Sequence, residues 1–269
     1  MARGKVRAGI LPQGFDFPHL GQYNSIDNIF MQHQEVDNLF QPIQLDCWPR
    51  RAIFQEFMGH GCTFALTRQL TITHFHRFCR EHRLRFYPAL TWAVTTAVNC
   101  HREFRMGYDA QGRPGYYDLV HPEYTVLDPR TQNMDSLCTH YRPELATFCA
   151  AMAADLDRFQ REDFHTPSPE NTILVSCVPW YSYTGLSFHM KSDLNFLRPM
   201  FVWGKYEERD GAVTLPFTIQ VHHAVADGYH CHLLFQSLEE ILAQPELPPS
   251  SDGTPGRRGR LQPLRPGGS

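Results

Sequence analysis

The chain predicts a mixed α/β fold, and three observations carry that reading. Segments with alternating apolar residues are interleaved with segments whose apolar residues recur every three to four positions, so strands and helices take turns along the chain. At 269 residues the chain can bury one sizeable core in one domain. No internal repeat divides it into modules.

The elements follow in order. Thr63 to Leu70 reads as the first strand, and Thr73 to Leu84 as a helix opened by Thr73. Tyr87 to His101 is an apolar helix through Leu90, Val94, Ala97 and Val98. A strand is expected over Tyr116 to Val120. Pro143 to Phe159 is an amphipathic helix, with Leu145, Phe148, Cys149, Met152, Leu156 and Phe159 on one stripe and Pro143 in the first turn. Strands over Thr172 to Val178, Met200 to Tyr206 and Val213 to His222 precede a closing helix, Gly228 to Leu242, with Leu234, Leu238 and Ile241 inward. Residues 1–40 are polar and without sustained period, which sets them apart as an N-terminal extension; residues 246–269, rich in Pro, Gly and Arg, predict a disordered tail. The structured domain is therefore expected over 41–245.

A net charge of −3 argues against a nucleic-acid partner, which would require a basic stripe. No apolar run is long enough to span a bilayer, so no membrane partner is expected. The basic N-terminus is not followed by an apolar stretch, and the eight cysteines are scattered without a paired spacing. Both features suit reduced thiols in a cytoplasmic protein.

The densest chemical signal is Gln220-Val221-His222-His223-Ala224-Val225-Ala226-Asp227-Gly228-Tyr229-His230. Leu215, Phe217, Ile219 and Val221 share one strand parity, and Thr218, Gln220 and His222 share the other. His223 then leaves on the apolar face, ahead of a turn with Asp and Gly. An imidazole so placed is a candidate general base, because histidine accepts and donates protons near neutrality. Asp227 also suits a helix N-cap. The same stretch offers His222, His223, Asp227, His230, Cys231 and His232 as potential zinc ligands. Adjacent histidines point to opposite faces, however, and no second ligand block is present, so no metal is expected.

These residues resemble the active-site signature of the chloramphenicol acetyltransferase family. Further blocks fall in the family's order: Cys47-Trp48-Pro49-Arg50-Arg51, Cys62 to Thr67, Arg85 to Ala89, Glu103 to Met106, His121 to Val126, Val178-Pro179-Trp180 and Gly204-Lys205-Tyr206. They span Ile43 to Leu242. The resemblance implies a two-layer sandwich, a mixed β-sheet with helices on one face. It also implies a homotrimer with active sites at subunit interfaces, taking a small-molecule acceptor. Acetyl-CoA would be the co-substrate. His223 would take the proton of a substrate hydroxyl in a ternary complex, and no acyl-enzyme on Cys231 is needed. Asp227 would pair with Arg50, or with its neighbour Arg51. Phe57, Phe64, Tyr124 and Thr125 match positions lining the acceptor pocket, and Lys205 and Tyr206 match positions near CoA.

Two positions depart from the family. The serine that donates to the oxyanion falls at Gly185 here, which leaves Thr184 and Ser187 as candidate donors. Val202 stands where a threonine that holds an active-site water is common. The leading expectation is acetylation of chloramphenicol, hence antibiotic resistance. The alternatives are the same chemistry on another hydroxyl or amine acceptor, and a trimeric binding protein without turnover.

Overall fold

The structure, a computed structural model, describes residues 40–189 and 196–245. The expected extension before residue 40 and the expected tail after 245 lie outside the described residues. The strands are β1 (Phe40–Pro42), β2 (Thr63–Thr71), β3 (Met106–Tyr108), β4 (Pro114–Tyr117), β5 (His121–Leu127), β6 (Met134–Cys138), β7 (Thr172–Val178), β8 (Met200–Gly204), β9 (Glu207–Arg209) and β10 (Ala212–His222). The helices are α1 (Arg51–His60), α2 (Thr73–Glu81), α3 (Phe86–Asn99), α4 (Leu145–Arg161) and α5 (Gly228–Ala243).

The main sheet runs β2-β10-β8-β7-β5-β6, with β9 paired to β10. It is mixed: β7 is parallel to β5 and β8, and the other neighbours are antiparallel. Helices α2 to α5 cover one face, the two-layer arrangement expected. Trp203 stacks on Phe217, whose ring meets Phe235 of α5, while Tyr87 of α3 packs against Trp203 and Tyr124. α3 is buried from Pro88 to Asn99, because it lies between the sheet and its neighbouring helices. Burying so many apolar side chains at about 1.5–3 kcal/mol each supplies most of the drive that holds the layers together. A smaller sheet, β1-β4-β3, stands apart.

Some boundaries differ from expectation for definable reasons. The segment 116–120 is not one strand: β4 ends at Tyr117 in the small sheet, and β5 starts at His121 in the main one. Pro122 disguised β5, since proline cannot donate to a ladder. Pro143 lies ahead of α4, whose N-cap is Glu144. Thr73 does not cap its own helix; its hydroxyl accepts from the Val213 N–H at 2.9 Å, tying α2 to β10.

β10 positions the site. It pairs with β2 from Thr214↔Thr71 to His222↔Thr63. Its polar parity is as buried as its apolar one: Thr218, Gln220 and His222 are only 1–5% exposed. The stretch after β7 causes this. Tyr183 donates its hydroxyl to the Val202 carbonyl at 2.8 Å, and Gln220 holds the Phe188 backbone at both N–H and C=O. Among the described residues, no helix is long and apolar enough to cross a membrane.

Candidate active site

β10 ends at His222, and the chain turns through His223, Ala224 and Val225 before Asp227 opens α5. His223 is thus the first residue of the turn, not the last of the strand. Its N–H still makes one further ladder bond, to the Cys62 carbonyl at 2.8 Å. The Val225 N–H returns to the His222 carbonyl at 3.1 Å, and the Ala224 N–H donates to His222 Nδ1 at 3.2 Å. His222 therefore works as an acceptor inside the fold. Burial, with the neighbouring His223, pushes its pKa down, which keeps that nitrogen unprotonated.

Arg50 secures the turn from outside. It sits at the head of α1 and aims its fork at three groups: Nη1 donates to Asp227 Oδ2 at 2.8 Å, Nη2 to the His223 carbonyl at 3.3 Å and Nε to the Ala224 carbonyl at 3.4 Å. Arg51 turns away to Asp46 on the surface. Asp227 also caps α5, accepting from the Tyr229 and His230 N–H groups. Partial burial would raise its pKa, but the Arg50 bond, the nearby His230 and the backbone donor outweigh it and hold the carboxyl down at about 2.

The His223 ring is half-buried. Phe57 stacks on it face to face, with centroids 3.9 Å apart and planes within 2°. Phe64 approaches from β2 at 5.0 Å. Both rings owe their place to Gly61, whose φ of 58° ends α1 and returns the chain into β2. His223 Nδ1 is buried with no hydrogen-bond partner among the described residues, so Nε2 is the nitrogen left open to a reactant. Such a ring, fixed by stacking and backbone bonds with one nitrogen open, can take a proton from a hydroxyl at about 2.6–3.2 Å. Cys231, buried in α5, has its thiol pushed up to about 12 by burial and by Asp227. It therefore holds no thiolate at neutral pH.

The other expected residues divide. Thr125 lies on the sheet face away from the helices, its hydroxyl 2.8 Å from that of Ser176. Tyr124, expected in the acceptor pocket, is corrected: it is fully buried beneath the helix layer, with its hydroxyl 2.8 Å from Thr139. Adjacent strand residues face opposite ways, so Tyr124 and Thr125 cannot line one pocket. Lys205 and Tyr206 follow β8 and are exposed; the Tyr206 ring packs 4.8 Å from His76. Thr184 and Ser187 are exposed in the irregular stretch after β7, and neither hydroxyl carries a hydrogen bond among the described residues. Gly185 between them has open space where a Cβ would stand and no positive φ. Val202 is buried in β8, paired with Thr218 on one side and Ser176 on the other.

Gln220 and Tyr183 were not singled out from sequence, although they hold the stretch from Pro179 to His189 against the sheet. The available signal was a glutamine inside an otherwise buried strand. A cavity of about 390 Å³ is lined by Phe104, Arg105, Tyr117, Leu197 and Arg198 and does not include His223. Among the described residues, no cluster of three or more His, Cys, Asp or Glu side chains could hold a metal ion.

The fold is one found in acetyltransferases. A solved chloramphenicol acetyltransferase superposes with a TM-score of 0.69 at 21% identity, over 76% of this chain and all of that one. Dihydrolipoamide acetyltransferase of Azotobacter vinelandii does so with a TM-score of 0.55 at 14% identity, over 84% of this chain and 97% of that one. Sequence narrows the class. The family model for chloramphenicol acetyltransferase matches residues 38–239. A chloramphenicol acetyltransferase of Streptomyces acrimycini is 37% identical over 208 residues, 76% of this chain and 94% of its own length. One from Clostridium perfringens is 34% identical over 211 residues, covering 77% and 96%. This chain belongs to the chloramphenicol acetyltransferase family.

Proposed function

We propose that this protein transfers the acetyl group of acetyl-CoA to a hydroxyl of chloramphenicol, with His223 as general base. The acyltransferase domain occupies 41–245 and acts in the cytoplasm. Nε2 takes the hydroxyl proton as that oxygen attacks the thioester carbonyl. The tetrahedral oxyanion then collapses, the carbon–sulfur bond breaks, and the departing CoA sulfur takes the proton back from His223. Proton removal of this kind contributes about 100- to 10,000-fold. The observation that carries the reading is the His223 ring itself, stacked on Phe57 with Nε2 open, in a chain of this family. No acyl-enzyme is required, in keeping with the protonated Cys231.

Phe57, Phe64 and Thr125 are the acceptor-side residues in this reading, and Lys205 and Tyr206 lie toward CoA. The active unit is a homotrimer. The His223 ring, flanked by Phe57 and Phe64 of its own chain, keeps Nε2 open, which suits a pocket completed by a second copy. The oxyanion donor is Thr184 or Ser187.

A second reading has its own support: the acceptor is a different hydroxyl or amine compound. Gly185 and Val202 together remove two hydroxyls from the matched positions, and one lost oxyanion donor costs about 100- to 1000-fold in rate. Purified protein with acetyl-CoA and chloramphenicol, followed by release of the CoA thiol, separates the two. Fast chloramphenicol-dependent release supports the first; slow release, with faster release for another acceptor, supports the second.

A further inference from the structure

His230, the third residue of α5, stands in an unusual relation to Asp227. At this position of a capping box a glutamate or glutamine ordinarily accepts from the N-cap N–H. His230 Nδ1 does lie 3.2 Å from the Asp227 N–H, but it lies closer, at 2.9 Å, to Asp227 Oδ1. A bare nitrogen lone pair facing a carboxylate oxygen repels it; a proton on that nitrogen turns the contact into a charge-assisted hydrogen bond. Asp227 stays a carboxylate, so the proton belongs on the imidazole. Oδ2 is already taken by Arg50.

The two oxygens of Asp227 thus have separate holders: the His230 ring, with the Tyr229 and His230 N–H groups behind it, on Oδ1, and Arg50 on Oδ2. The same guanidinium reaches the His223 and Ala224 carbonyls. A carboxylate free to rotate would release the fork that holds those carbonyls. We infer that His230 is a positioning residue for the reaction: its Nδ1–H sets the Asp227 carboxylate, which sets Arg50, which sets the backbone of His223. The inference rests on the reading of His223 as the base. His230 borders a cavity of about 320 Å³ with Trp48, Arg50, Ile53 and Glu103, which does not include His223, and in this reading it acts through Asp227 and Arg50.

Two near-isosteric variants separate this role from plain helix capping. Glutamate in place of His230 can accept the Asp227 N–H but has nothing to donate to Oδ1. Glutamine both accepts and donates. With acetyl-CoA and chloramphenicol, His230→Gln is expected to stay within about fivefold of wild-type kcat. His230→Glu is expected to lose about 10- to 100-fold in kcat with KM little changed, the penalty for a base displaced by up to an ångström. Equal kcat for the two variants, whether near wild type or equally reduced alongside Tm, reduces His230 to a helix cap and overturns the inference. A readout without turnover keeps it testable if chloramphenicol is a poor substrate. Long-range ¹H–¹⁵N correlation on the labelled full chain should show the His230 Nδ1 protonated at neutral pH, and a bare Nδ1 contradicts the proposal. His223→Ala with undiminished activity would instead overturn the reading of the base and leave the Nδ1 result standing.

Discussion

Around His223 the polar groups are committed to one another, whereas in the stretch from Pro179 to His189 the hydroxyls of interest are not. Arg50, Asp227, His222 and the Cys62 carbonyl each bond the turn, and Phe57 fixes the ring plane. Across the site, Tyr183 and Gln220 bind the stretch to the sheet, but Thr184 and Ser187 stay exposed. The contrast teaches where the protein has invested rigidity. Removing a proton depends on direction and distance, and in the proposed reading the base, His223, is held by contacts within its own chain. In that reading the candidate oxyanion donors Thr184 and Ser187 carry no hydrogen bond among the described residues, and theirs is the side that can change with the acceptor.

The largest effect should come from the rigid region. His223→Ala should lower kcat by about 100- to 10,000-fold while Tm moves little, because the ring is half-exposed. His222→Ala should do the reverse, lowering Tm while keeping most of the activity, since it removes a buried acceptor. Steady-state kinetics and thermal melts on both variants check this, and exchanged phenotypes would mean that His222 is the base.

The uncommitted region should respond by gain. Gly185→Ser should raise chloramphenicol turnover by about tenfold or more, given what one oxyanion donor contributes and the open space at that position. If wild type is already fast and Thr184→Val abolishes turnover, Thr184 is the donor and the oxyanion side is as settled as the other.

A smaller effect tests the clamp. Arg50→Met and Asp227→Asn should each cost roughly 1–3 kcal/mol, less than a fully buried pair because Asp227 is partly exposed, and the double variant should cost less than their sum. A coupling near zero would mean that the pair does not hold the turn. The pH dependence has a definite sign. The carboxyl titrates near 2 folded against 3.8 ordinarily, so its contribution is full above about 4 and is lost as pH falls through about 2. Asp227→Asn should flatten stability in that window.

The smallest effect belongs to Gln220→Leu, which strips the Phe188 N–H and C=O of their partner and should cost about 1–2 kcal/mol in Tm-derived stability. No change would show that Tyr183 alone anchors the stretch.

How far these regions were legible in sequence follows the same divide. The stripe from Leu145 to Phe159 produced a helix close to expectation, because period reports burial when one face is wet, and the alternation from Leu215 to Val221 marked β10 through its polar parity although that parity is buried too. The face argument for His223 was incomplete, since β10 is buried on both sides and its polar parity is covered by residues remote in sequence. Pro122 concealed β5, and with it the fact that Tyr124 faces the helices. Arg50 and Asp227 were legible only through motif order; nothing local says that residues 177 positions apart meet. The stretch from Pro179 to His189 has no period, so its register, and hence the oxyanion donor, could not be read. Assembly leaves no trace in single-chain periodicity.

The most direct test of the account is CoA thiol release by the purified full-length protein given acetyl-CoA and chloramphenicol, run beside His223→Ala. The account predicts chloramphenicol-dependent release by wild type, an acetylated chloramphenicol product, and near loss of both in the variant. Release that persists in His223→Ala, or a wild type that releases no thiol with chloramphenicol or any other hydroxyl or amine acceptor, would contradict it.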